Sequence, residues 1–249
     1  MTEKDQRRLG VADPANPSTA LEAALFEIKR VIVGQEGMLE RVLVALLSGG
    51  HLLLEGVPGL AKTRTIATLA QVLGGSFQRI QFTSDLLPSD VLGVSVYNPE
   101  SRDFEFRPGP LFANVVLADE INRTTPRTQS ALLEAMNEAQ VTVDGRTLPL
   151  PRPFLVIATQ NPVEHHGTYP LPESQLDRFL MRVRMGYPDA QAERQILRSE
   201  VGVAHLDELR PMLSGADVIE MQQAVKDVRV DDSLVTYTQI GRASCRERV

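Results

Sequence analysis

The chain contains no tryptophan and a single cysteine, and aromatic residues make up only 5% of its 249 positions. One cysteine, Cys245, allows no disulfide within the chain and suits a reducing compartment. Scarce aromatics leave few platforms on which single-stranded bases could stack. No run approaches the ~20 apolar residues of a membrane-spanning helix. The start, MTEKDQRRLG, lacks the apolar segment of a secretory signal. These absences read as a cytoplasmic protein. An excess of positive charge is also lacking: 26 Lys and Arg stand against 32 Asp and Glu, a formal net charge of -6. That balance argues against a sequence-independent nucleic-acid surface, though it leaves room for a local basic pore. What is present is 43% hydrophobic residues, enough for one substantial core, or one core plus a small satellite domain.

The two ends read differently from the middle. Residues 1–18 are polar and aperiodic with Pro14 and Pro17, as a flexible arm would be. The last ten residues, 240–249, spell IGRASCRERV. The frame ATC GGA AGA GCG TCG TGT AGG GAA AGA GTG encodes that peptide and matches a common short-read sequencing adapter. We therefore expect the natural sequence to run to about Thr238 and treat 240–249 as adapter-derived, outside the fold. A basic tail for an acidic partner is the alternative.

Between these ends, apolar strands alternate with helices. Leu21, Leu25, Ile28 and Ile32 share one helical face, and a second helix is expected over Glu36–Leu47. Strands are expected at His51–Glu55, Phe77–Thr83, Asn114–Ala118, Phe154–Thr159 and Leu180–Met185, the last with the alternation of an exposed edge. Helices are expected at Lys62–Leu73 and from Thr125 to about Glu138, with Thr125 as cap and Pro126 in the first turn. Continuous apolar strands separated by helices imply a parallel sheet covered on both faces. Val94–Arg107 and Gln140–Leu148 read as hairpins, the second on an Asp144-Gly145 turn. After Gly186 the pattern is helical: Ala190–Ser199, Ala216–Val228 and a start at Asp232. The expected division is a core over 19–186 and a partial helical domain over 187–239.

GVPGLAKT, Gly56 to Thr63, follows a strand and opens a helix, the context in which backbone N–H groups and the helix dipole cradle phosphate. The candidate contacts are Gly56, Val57, Pro58, Gly59, Leu60, Ala61, Lys62 and Thr63. Lys62 would face the outer phosphates and the Thr63 hydroxyl a Mg²⁺ ion. Asp119 and Glu120 end a buried strand, at the carboxyl edge where open α/β sheets bind ligands. Asp119 is a candidate Mg²⁺ partner and Glu120 a candidate to polarise an attacking water. Asn161, ending the next strand, could hydrogen-bond the outer phosphate or orient the water beside Glu120; the alternative is a turn residue before Pro162. Arg178 in LDRF is either a finger reaching a neighbouring subunit's nucleotide or an ion-pair partner of Asp177 or Glu173. His165 and His166 read as loop residues, since no helix-spaced third ligand accompanies them.

GVPGLAKT, VVLADEINR (Val115–Arg123), TQSALLEAM (Thr128–Met136) and ATQNPVEHHGTYPLPESQLDRF (Ala158–Phe179) resemble the MoxR family of AAA+ ATPases. The match runs from about Ile28 to Pro188. The resemblance implies an α/β fold: a three-layer P-loop NTPase sandwich on a five-stranded parallel sheet, with two hairpin insertions and an all-α lid. It implies ATP and Mg²⁺ as ligands. IVGQE, with backbone at Val33 and Gly34, would lie along the adenine. Lys62, Thr63, Asp119, Glu120, Asn161 and Arg178 would take the roles given above. Both hairpins would face the pore of a homo-hexameric ring. The expected activity is that of a chaperone remodelling or activating protein clients, with a von Willebrand A-domain partner. The family's second sensor arginine, in a GASPR-like motif, is not found here, so the lid is expected to be incomplete. A nucleic-acid motor and a nucleotide-gated scaffold without turnover are the competing functions. The acidic balance disfavours the first, and Glu120 with Arg178 the second.

Overall fold

The structure, a computed structural model, describes residues 17–32, 34–56, 62–161, 167–186, 190–191, 193–194 and 209–246, with the side chains of 17, 18, 30, 31 and 240–246 excluded. The expected arm before Pro17 and most of the expected Ala190–Ser199 helix lie outside these residues.

In chain order the elements are α1 (Pro17–Val31), α2 (Glu36–Leu47), β1 (Leu52–Glu55), α3 (Lys62–Val72), β2 (Phe77–Gln81), α4 (Pro88–Leu92), β3 (Gly93–Asn98) and β4 (Asp103–Pro108). Then follow β5 (Val115–Asp119), a 3₁₀ turn (Ile121–Arg123), α5 (Pro126–Glu138), β6 (Gln140–Val143), β7 (Arg146–Pro149), β8 (Leu155–Gln160), α6 (Glu173–Leu176), β9 (Met181–Arg184), α7 (Gly215–Lys226) and α8 (Asp232–Arg246). The strands appear within two residues of the ranges their apolar runs predict. Helix α4, five residues opened by Pro88, was not anticipated; it is too short to show a period.

Five strands form a parallel sheet in the order β2-β5-β8-β1-β9. Chain leaving β1 therefore crosses two strands before re-entering the sheet, and all five carboxyl ends share one edge. β1, β5 and β8 are buried almost throughout, as strands covered on both faces must be. β9 sits at the edge and alternates half-buried and buried Met181 and Val183 with exposed Arg182 and Arg184. One apolar layer joins Ala24, Ile28, Leu39, Leu43, Ile66 and Leu69 to Leu52, Leu54, Leu117 and Ile157. The opposite layer joins Val91, Leu132, Leu133 and Met136 to Leu53, Val116, Ala118 and Val156. Alternate residues of each strand thus supply the two cores, which makes three layers.

Both hairpins form. β3 and β4 pair antiparallel from Gly93↔Pro108 to Asn98↔Asp103. β6 and β7 turn on Asp144 and Gly145, both at positive φ (51° and 75°), the mirror-image turn that Asp-Gly favours. Thr125 precedes α5 as expected but gives no side-chain cap; its hydroxyl lies 3.4 Å from that of Thr128 instead.

The helical segment after the sheet docks on the core. Ser214 and Asp217 cap α7 reciprocally. Val218 and Met221 join the layer of α1–α3, and Gln222 donates to the Leu46 carbonyl at the end of α2 (2.7 Å). Gly74, at φ 61° after α3, lets this segment approach: an added Cβ would stand 2.6 Å from the Leu213 carbonyl. α8 starts at Asp232 as expected but continues to Arg246, past the boundary near Thr238. Leu234, Val235 and Tyr237 on it are exposed. No helix among the described residues is long and apolar enough to cross a membrane.

Candidate functional site

β1 ends on Glu55 and delivers the chain to Gly56; α3 resumes it at Lys62. Val57, Pro58, Gly59, Leu60 and Ala61 lie outside the described residues, as does Val33. Gly34, with positive φ (78°), and Gly56 are described. Lys62 and Thr63, both half-buried, occupy the first turn of α3. The Lys62 ammonium folds back and donates to the Gly56 carbonyl (2.9 Å). Burial draws the Lys62 pKa below the ordinary lysine value, against an opposing pull from the charges of Asp119 and Glu120. Lys62, at the head of α3, and the two acids at the end of β5 thus act on one another electrostatically near the carboxyl edge of the sheet.

Asp119 ends β5, and each of its carboxylate oxygens has a partner. Oδ1 accepts from the Thr159 hydroxyl (2.6 Å). Oδ2 accepts from Arg79 Nη2 (2.6 Å) and Nε (3.2 Å). Glu120 leaves the strand in the left-handed region, φ 60° and ψ 48°, an uncommon conformation for a residue with a Cβ and one that collects at functional sites. Its N–H donates to Thr159 Oγ1 (2.9 Å). Its carboxylate accepts from Gln81 Nε2 (3.0 Å) and pairs with Arg123 (3.0 Å). The parallel register sets Gln81 opposite Asp119 and Arg79 opposite Leu117, so all four share one face of the sheet.

A second charged cluster lies at the end of β1. Glu55 is only 3% exposed at its side chain and pairs with Arg182 and Arg184 of β9 and with the Gln160 amide. Burial alone would raise its pKa; the bonds from Arg182 and Gln160, with the Arg182 charge, outweigh that and hold it below the usual glutamate value. The cluster ties the strand that feeds the phosphate loop to the strands on both sides.

Asn161 is buried just past the end of β8, one residue beyond the Glu55↔Gln160 pair. Arg178 lies elsewhere. It is exposed and donates to the Leu133 carbonyl of α5 (3.1 Å), where it lines a pocket with Ser130, Glu134, Asn137 and Glu138. Among the described residues it pairs with neither Asp177 nor Glu173 and touches none of Lys62, Asp119 and Glu120. His165 and His166 lie outside the described residues.

Arg79, Gln81, Thr159, Glu55 and Gln129 are not candidates from the sequence alone. The Gln129 amide, buried, reaches the carbonyls of Ile121, Thr124 and Tyr169 (3.1, 3.3 and 2.9 Å) and so fixes the loop that follows Glu120. Alternate polar residues at Arg79 and Gln81 on an expected strand were a signal. Their meaning needs the β2–β5 register, which one sequence does not provide.

Residues 51–181 match the model of the ATPase family associated with various cellular activities (AAA). The chain is 54% identical over 217 residues to the uncharacterized protein YeaC of Bacillus subtilis, covering 87% of this chain and 68% of that one. It is 51% identical over 217 residues to Chaperone MoxR1 of Mycobacterium tuberculosis, covering 87% of this chain and 57% of that one. A crystal structure from Cytophaga hutchinsonii, of a protein assigned as an ATPase, superposes with a TM-score of 0.81 at 44% identity, over 94% of this chain and 70% of the other.

Proposed function

The chain belongs to the MoxR family of AAA+ ATPases, and from that premise we propose that its ATP hydrolysis drives the remodelling or activation of protein clients, as a cytoplasmic chaperone working in a homo-hexameric ring. A von Willebrand A-domain protein is the proposed partner. The chain spans 57% of the length of Chaperone MoxR1, so these properties are proposed for the whole protein.

The observation that carries this reading is that Lys62, at the head of the helix that follows β1, lies within electrostatic reach of Asp119 and Glu120 at the carboxyl edge of the sheet. A cation facing two carboxylates suits a triphosphate that arrives with a divalent cation, because the ligand then completes an alternating arrangement of charge. The donor set fits Mg²⁺: one carboxylate at Asp119 and one hydroxyl at Thr63, the remaining oxygens coming from phosphate and water. Bound there, Mg²⁺ would offset negative charge on the outer phosphates.

In the proposed reaction, Lys62 holds the β- and γ-phosphates and the N-terminus of α3 adds its dipole. Glu120, set by its left-handed backbone and by Gln81 and Arg123, orients and deprotonates the water in line with the γ-phosphate. Asn161 senses the γ-phosphate from the end of β8. Arg178, which faces α5 in its own subunit, completes the site of a neighbour. Gly34 lies along the adenine.

Titration of the chain with ATP in Mg²⁺ tests the reading. Saturable binding is expected, and Lys62→Ala should abolish it; unchanged affinity in that variant would overturn the phosphate-loop assignment. Mass measurement of the whole protein in ATP should show six copies, and a strict monomer would remove the ring.

A further inference from the structure

We propose that the Arg79 guanidinium stands in for the divalent cation at Asp119 and must be displaced before Mg²⁺ engages, so that Arg79 sets how much Mg²⁺ nucleotide binding requires. This rests on the ATP reading above.

Arg79 directs both Nη2 (2.6 Å) and Nε (3.2 Å) onto the same oxygen, Asp119 Oδ2, while Thr159 takes Oδ1. The carboxylate that would face the metal's water shell is thus already met by a fixed positive charge. Two cations sharing one carboxylate face repel, and the guanidinium has to yield. It is placed to do so. Its side chain is 45% exposed against 18% for Asp119, and it stands on β2, an edge strand of the sheet. Ion pairs with one foot in water are weak enough to be exchanged.

Displacement also reaches Glu120. Arg79 Nη2 donates to Gln81 Oε1 (2.6 Å), and Gln81 Nε2 holds Glu120 Oε2 (3.0 Å). When Arg79 leaves, the Gln81 side chain loses the contact that orients it, and its grip on Glu120 loosens. One side chain therefore connects arrival of the metal to release of the water-activating carboxylate. The alternative is a permanent strut joining β2 to β5, which would affect stability and leave the metal requirement alone.

The test is a Mg²⁺ titration, from an EDTA baseline, of binding of a fluorescent ATP analogue to the whole chain. Arg79→Gln should lower the half-saturating Mg²⁺ concentration roughly two- to fivefold, the size of a partly exposed ion pair. Arg79→Lys, which keeps the charge without the fork, should lower it less. An unchanged or higher Mg²⁺ requirement in Arg79→Gln, with wild-type binding intact, overturns the proposal. Should circular dichroism show Arg79→Gln unfolded, Arg79→Lys decides: a lower requirement supports displacement, and an unchanged one refutes it. If the wild type fails to bind the analogue at any Mg²⁺ concentration, the nucleotide reading itself falls, and this proposal with it.

Discussion

The Thr159 hydroxyl donates to Asp119 across 2.6 Å, and the same oxygen accepts the Glu120 N–H at 2.9 Å. One side chain on β8 thereby fixes both acids at the end of β5. Thr159 is 1% exposed, so no water can replace its hydroxyl without rearrangement. Thr159→Val keeps the shape, leaves the Glu120 N–H unpaired and frees Asp119 to turn. We expect folding stability to fall by about 1–3 kcal/mol and kcat to fall about 10–100-fold, as when a partner orienting a metal-facing group is lost. ATP affinity should change little. Steady-state hydrolysis beside an ATP titration checks this, and an unimpaired kcat would refute the positioning role.

Glu120→Gln retains the volume and the contacts to Gln81 and Arg123 but cannot take a proton. The expected result is ATP held without turnover, with kcat down about 10²–10⁴-fold, the usual size of general-base loss. Phosphate release measured against bound nucleotide separates the two steps. Full hydrolysis by this variant would remove Glu120 from the reaction.

Much of the fold was legible because the relevant signals are local. NVVLA and FLVIAT are unbroken apolar runs that belong to strands covered on both faces, and β5 and β8 fall there. Asp144-Gly145 prescribes its own turn. At the site, Lys62, Asp119 and Glu120 were legible because each ends or begins an element in a recognisable context. Arg79, Gln81 and Thr159 were not, since their contacts cross strands about 40 residues apart and depend on register. The Glu55 cluster was hidden for the same reason: Arg182 and Arg184 read only as the wet side of an edge strand, yet they neutralise a buried carboxylate at the end of β1.

Arg178 stands on the surface, and among the described residues it donates to the Leu133 carbonyl. Among the described residues it makes no contact with the Lys62–Asp119–Glu120 group, which favours a role toward a neighbouring subunit. Arg178→Ala should therefore leave ATP binding intact and lower hydrolysis about 10³-fold or more in assembled protein, the range for a lost arginine finger. Mixing it with Lys62→Ala subunits should restore part of the rate, because each then supplies what the other lacks. Equal loss in isolated monomers would place the arginine within its own site.

His51 gives the core a dependence on pH. Its Nε2 lies 2.9 Å from the Met136 carbonyl and its Nδ1 accepts the Val156 N–H at 3.0 Å, which requires the neutral ring with the proton on Nε2. Burial lowers its pKa below the ordinary value of 6.5, with the Met136 bond opposing in part. The unfolded chain thus binds this proton more readily than the folded one. Stability from this group is complete above about pH 6.5 and is lost as pH falls from there through the folded-state pKa. Urea unfolding at pH 7.5 and pH 5.5 should show the wild type losing stability on acidification. His51→Leu should be less stable by about 1–3 kcal/mol at pH 7.5, having left two backbone groups unpaired, yet should lose less between the two pH values. If both proteins lose the same amount, the acid sensitivity belongs to other groups and His51 is merely packed.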